Sequence, residues 1–119
     1  MTKYVVAPDS FKESMTAKEV CDAMERGIKI VDKDAQVIKV PMADGGEGTV
    51  DSLVDATHGQ RITVEVTGPL GNKIRAYYGI LGNGTTAVIE MAKASGLEIV
   101  EKQKRNPLLT TTFGTGELI

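Results

Sequence analysis

Tryptophan is absent, cysteine occurs once, and aromatic residues make up only 4% of the 119-residue chain. Each shortage removes a class of protein. The lone Cys21 excludes an internal disulfide, and its place in a helical pattern marks a small buried hydrophobe rather than a nucleophile. Scarce aromatics leave few platforms on which bases would stack. Basic charge is in no excess, with 14 Lys+Arg against 16 Asp+Glu and a net charge of -2, so the electrostatic footprint of nucleic-acid binding is missing. No apolar run approaches the roughly 20 residues of a bilayer span, and the chain opens on strand-like residues instead of a signal peptide. These absences lead to the expectation of a cytoplasmic protein with neither a nucleic-acid nor a membrane partner.

What is present is ordinary for a globular chain: 41% apolar and 25% charged residues. The length suits one domain, with roughly two-thirds of the unfolded surface buried on folding. Tyr4-Val5-Val6-Ala7, ended by Pro8, reads as a strand buried on both faces. Thr16 with Glu19 three residues on forms a capping box, and Met15 is placed to staple Val20. A helix therefore starts here. Val20, Ala23, Met24, Gly27, Ile28 and Val31 recur on one face, with Lys18, Asp22, Glu25, Arg26 and Lys29 on the other. Val37-Ile38-Lys39-Val40 supplies a second strand, parallel to the first across a right-handed crossover.

A second helix runs through Val50, Leu53 and Val54, with His58 in its last turn against the helix dipole and Gly59 placed to stop it. The period then changes. Ile62, Val64 and Val66 alternate with polar residues, Ile74, Ala76, Tyr78 and Ile80 do so again, and residues 86–91 read as a third strand after the Gly82-Asn83-Gly84 turn. An antiparallel meander follows from the tight turns. A short helical stretch is expected at 97–100, and residues 114–119 read as a helix start that stops after one turn, as in the front part of something longer.

Chemistry is expected at the carboxyl ends of the parallel strands, where open α/β sheets place ligands. Two loops, residues 9–14 and 44–49, meet there. Gly45, Gly46 and Gly48 strip side chains from a helix entry, so amides and the positive dipole end can face a carboxylate or phosphate. Asp44 and Glu47 can hold Mg2+ or accept a hydroxyl proton. Lys12 can hold an anionic group, and Asp9 can act as base or metal ligand. An anion site beside carboxylates suits phosphoryl transfer. The same residues also fit a plain turn with solvated charges. Gly82-Asn83-Gly84-Thr85-Thr86-Ala87 imitates a dinucleotide fingerprint, but strand continues where a helix is required, and no P-loop is present.

The ordered motifs Ala7-Pro8-Asp9-Ser10-Phe11-Lys12-Glu13-Ser14, Ala43-Asp44-Gly45-Gly46-Glu47-Gly48-Thr49, Ala87-Val88-Ile89-Glu90-Met91-Ala92, and Asn106-Pro107-Leu108 through Gly114-Thr115-Gly116-Glu117-Leu118-Ile119 closely resemble the bacterial glycerate kinase family. The resemblance covers essentially the whole chain. It implies an ATP- and Mg2+-dependent kinase acting on D-glycerate, much longer than this chain, with one α/β domain inserted into another. Residues 1–65 would then begin a flavodoxin-like parallel-sheet domain, and residues 66–119 the inserted mixed-sheet domain.

Carried onto this sequence, the resemblance marks Asp9, Ser10, Lys12, Asp44, Gly45, Gly46 and Glu47 as cleft residues; within that set the residue chemistry, not the resemblance, assigns Asp44, Lys12 and Asp9 to catalysis and Ser10, Gly45, Gly46 and Glu47 to the substrate or phosphate. Thr115, Gly116 and Glu90 are weaker members. Asp44 and Glu47 are the metal candidates. Glycerate, the nucleotide and the remainder of its own chain are the implied partners. A non-catalytic module binding a small anion, or a kinase for a related hydroxy acid, are the alternatives. Coordinates placing Lys12 and Asp44 on opposite edges of the sheet would dissolve the site.

Overall fold

The computed structural model describes all 119 residues, which form two compact units, Met1–Asp44 and Gly45–Ile119. Both are mixtures of helix and strand, as expected of an α/β chain. In the first unit, β1 (Lys3–Val6) pairs in parallel with β2 (Gln36–Lys39), Tyr4 standing opposite Val37 and Val5 opposite Ile38. The crossover is α1 (Ala17–Val31), begun by the expected capping box: the Glu19 amide donates to Thr16 Oγ1, and the Thr16 amide donates to the Glu19 carboxylate at 2.7 Å. These reciprocal bonds satisfy donors that the first helical turn otherwise leaves open.

Ala17, Val20 and Cys21 form the buried side of α1, and Cys21 Sγ faces the Val6 carbonyl. Lys39 of β2 bonds to both Asp22 and Glu25 of α1, at 2.9 and 2.8 Å, fastening helix to strand. Two expectations need correction. Of β1 only Val6 is buried, while Val5 is 63% exposed, and Met24 and Val31 of α1 also face solvent. The unit contains one helix, so its pair of strands is covered on one face rather than on two.

The second unit opens with α2 (Thr49–Thr57), followed by β3 (Gln60–Thr67), β4 (Lys73–Ile80) and β5 (Ala87–Val88). These strands form an antiparallel sheet in the order β3-β4-β5, with Val66 opposite Ile74 and Val64 opposite Ala76. The meander is therefore the one the alternation predicts. Val66 and Ala76 join Ala94 and Leu118 in a core whose flank is Val64, Ile74 and Tyr78. Ala94 belongs to α3 (Met91–Ser95) and Leu118 to α4 (Phe113–Leu118), so both short helices lie on the sheet. Val50 and Val54 of α2 are fully buried above Gly79 of β4. This packing assigns α2 to the antiparallel unit, and the compact units divide at Asp44, well before the change of hydrophobic period near residue 60.

Local details shift as well. The third strand shrinks from residues 86–91 to Ala87–Val88, because Glu90 and Met91 turn into α3. The helical stretch expected near 97–100 is a 3-10 turn, Leu97–Ile99. α2 ends with His58 itself in the left-handed region, at φ 55°, in place of a histidine inside the last turn. Gly59 is required for another reason: a Cβ there would lie 2.2 Å from the Ile80 carbonyl oxygen. No helix is long and apolar enough to cross a membrane.

Candidate functional site

In the first unit the 9–14 loop and the segment leading to Asp44 leave the same edge of the parallel pair. Val40 donates to the Val6 carbonyl at 2.8 Å, and Met42 donates to the Pro8 carbonyl at 3.0 Å, so the strands stay joined just beyond their carboxyl ends. The segments that carry Lys12 and Asp44 therefore issue from one edge. The loop carrying Lys12 is closed on itself: the Phe11 carbonyl accepts the Ser14 and Met15 amides, and the Phe11 amide donates to the Met15 carbonyl. Glu13, at φ 59°, makes the tight reversal possible. Asp9 turns its carboxylate onto the Ser10 amide at 2.6 Å. Asp9, Lys12 and Asp44 are exposed and Ser10 is half-buried.

The glycine loop belongs to the second unit. Gly45 and Gly48 have φ of 101° and 88°, a region costly to any residue with a Cβ. Thr49 closes the turn by donating its amide and hydroxyl to the Gly46 carbonyl. Gly48 is the N-cap of α2 and provides no side chain for the orphan amides. Glu90 provides it from 42 residues away: its carboxylate accepts the Gly48 amide at 3.2 Å and the Val50 amide at 3.0 Å. It is only 3% exposed. The positive end of α2, expected to receive an external anion, thus already holds an internal one.

A charged lattice supports this carboxylate. Lys93, one turn along α3, lies 3.9 Å from Glu90, 3.2 Å from Asp51 and over the Tyr77 ring at 5.0 Å. Tyr77 donates its hydroxyl to Asp51 at 2.8 Å, and Arg61 reaches Asp51 and Asp55 at 2.6 and 2.9 Å. Burial works to raise the Asp51 carboxyl, but the hydrogen bonds from Arg61 and Tyr77 and the charge of Lys93 outweigh it and hold the carboxyl below its ordinary value. Burial likewise opposes the Lys93 charge, yet Tyr77, Glu90 and Asp51 together keep its ammonium more basic than usual.

Thr115 lies at the other end of α3, where its hydroxyl is 2.8 Å from that of Ser95. Five helical steps separate Ser95 from Glu90, roughly 8 Å along the axis. The structure thus brings Glu90 to the glycine loop and places Thr115, with Gly116 beside it on α4, against the far end of α3. Sequence reasoning missed Asp51, Arg61, Tyr77 and Lys93 and gave Glu90 no structural task. One signal existed: Glu90 is the only charge in Ala87-Val88-Ile89-Glu90-Met91-Ala92, a run otherwise free of polar side chains.

The donors suit a magnesium nucleotide in kind. Glu47 has a buried carboxylate oxygen, Oε2, with no hydrogen-bond partner, the hard ligand such a cation takes. No cluster of three or more His, Cys, Asp or Glu gathers anywhere. Mg2+ usually takes one or two carboxylates and completes its shell with water and phosphate oxygens, so a small donor set fits. The exposed Lys12 matches phosphate oxygens in chemistry, and Gly45 and Gly46 carry no side chain that would keep a ligand from the backbone.

Residues 4–119 match the model of the glycerate kinase family, and the chain belongs to that family. It is 64% identical to glycerate kinase of Haemophilus influenzae over 117 residues, covering 98% of this chain and 31% of that protein. It is 57% identical to glycerate 2-kinase of Escherichia coli, with the same two coverages of 98% and 31%. The crystal structure of a Salmonella typhimurium LT2 protein, assigned by name as glycerate kinase 2, matches 98% of this chain and 31% of its own at a TM-score of 0.73 and 55% identity. The chain spans about 31% of the length of these relatives.

Proposed function

We propose that this sequence, at the full length of its relatives, catalyses ATP-dependent phosphorylation of D-glycerate in the cytoplasm. The observation that carries the reading is the family match over residues 4–119, with the candidate loops of the first unit leaving the carboxyl edge of a parallel pair. Lys12 binds an anionic oxygen of substrate or nucleotide. Asp44 takes the proton of the attacking hydroxyl or contributes to the metal, and Asp9 orients the neighbouring turn through Ser10. Gly45 and Gly46 offer amides to the substrate carboxylate or transferring phosphate. Glu47 offers its unpartnered oxygen to Mg2+, which neutralises charge developing on the phosphate oxygens when bound. Thr115 and Gly116 form a further ligand-facing element at the start of α4.

The domain scheme of a parallel-sheet domain over 1–65 and an inserted domain from 66 belongs to this proposal and concerns the full-length fold. The name of the Escherichia coli relative points to the 2-hydroxyl as acceptor. The test is an assay of the full-length chain with D-glycerate, ATP and Mg2+, its product read by phosphorus NMR. Formation of 2-phosphoglycerate supports the reading. No ATP-dependent phosphorylation of glycerate removes it.

A further inference from the structure

A helix of nine residues that begins on a glycine leaves amides open at the end where its dipole is positive. In many phosphate-binding proteins that end is the ligand site. Here Gly48 and Val50 both donate to Glu90, a carboxylate buried to 3% exposure and approached by Lys93 at 3.9 Å. A buried carboxylate survives only where hydrogen bonds and an opposing charge meet it, and this one has both. The two bonds join residues 42 and 40 positions apart in sequence, so they fix the glycine loop to α3 rather than to its own helix.

We propose that Glu90 is a positioning residue: its carboxylate fills the N-terminal end of α2 and thereby holds the glycine loop in one conformation. The helix end is consequently closed to ligand anions. Gly45 and Gly48, both at positive φ, give this segment backbone freedom that the two bonds to Glu90 offset. The consequence for catalysis rests on the kinase reading. The consequence for the backbone amides does not.

The first experiment uses the 119-residue chain. In the wild type, amide exchange at Gly48 and Val50 is expected to be slow, and inorganic phosphate is expected to leave both resonances unmoved. Glu90→Gln turns one acceptor into a donor facing an N–H, so both amides should exchange roughly tenfold faster while those of β3 and β4 stay as they were. In Glu90→Ala the vacated end should take formate, restoring the Val50 resonance. Fast exchange of these amides in the wild type, a phosphate-induced shift of Val50 there, or unchanged exchange in Glu90→Gln would each overturn the proposal. The wild-type measurements decide even where the alanine variant does not fold.

The second experiment uses the chain at its relatives' full length. Glu90→Gln should lower kcat about 100-fold, the scale of a misplaced reacting group, with KM nearly unchanged, and Glu90→Asp should recover part of it. A raised KM with unchanged kcat would contradict a positioning role. If the wild-type enzyme does not phosphorylate glycerate, the kinase reading fails and the amide measurements still judge Glu90.

Discussion

The two compact units solve the same problem, covering a sheet with helices, to different extents. In Gly45–Ile119 the three-stranded sheet has α2, α3 and α4 packed on it, and Val50, Val54, Val66 and Ala94 are all but inaccessible. In Met1–Asp44 one helix serves two strands, and Val5, Ile38 and Val40 remain 38% exposed or more. The difference separates tasks. The unit with the dense core ties Gly48 and Val50 to Glu90, whereas in the unit with the sparse core Asp9, Lys12 and Asp44 are exposed.

Substitution in the cores is the strongest way to break this contrast. Val54→Ala removes two methyl groups from a site that is 1% exposed, and about 2 kcal/mol of stability should be lost from the second unit. Hydrogen exchange of β4 amides reads that loss directly. A change under about 0.5 kcal/mol would mean that α2 does not carry the core it covers.

In the first unit, stability is expected to lie in the helix cap more than in the core. Thr16→Ala breaks the capping box and should cost about 1 kcal/mol, seen as faster exchange along α1. Glu19→Ala, which removes the other half, should act in the same direction.

Acid sharpens the contrast further. The Asp51 carboxyl is held below its ordinary value of 3.8, so the stability it contributes is complete above that value and disappears as pH falls through its lower folded value. The second unit should therefore lose protection at acid pH, and Asp51→Asn should flatten that part of the profile. A profile identical in the variant would show that the Arg61, Tyr77 and Lys93 partners do not act through Asp51. The smallest effect is expected at Val5: with the side chain 63% exposed, Val5→Thr should change stability by less than about 0.5 kcal/mol.

Much of this was legible because period and capping are local signals. Thr16 with Glu19 announced α1, and the alternation at Ile62, Val64 and Val66 announced a sheet whose register then matched. What escaped was long-range. Glu90 bonds to amides some 40 residues away, and no local pattern distinguishes such a carboxylate from a charge at a strand end. The expected burial of both faces of β1 failed because a continuous apolar run states what a strand can bury, not what covers it. His58 escaped because a histidine in the left-handed region is uncommon beside an available glycine. At the candidate site, the common edge of the Lys12 and Asp44 loops followed from parallel pairing alone, while the occupied end of α2 did not.

In the proposed kinase reaction Asp44 takes part in chemistry from its exposed position at the sheet edge, and Asp44→Asn in the full-length chain tests that role most directly. With amide spectra unchanged away from the substitution, kcat for glycerate phosphorylation should fall by about 100-fold or more, the range of a lost general base or charge-stabilising carboxylate. Turnover close to that of the wild type, in a variant that is equally well folded, would contradict it.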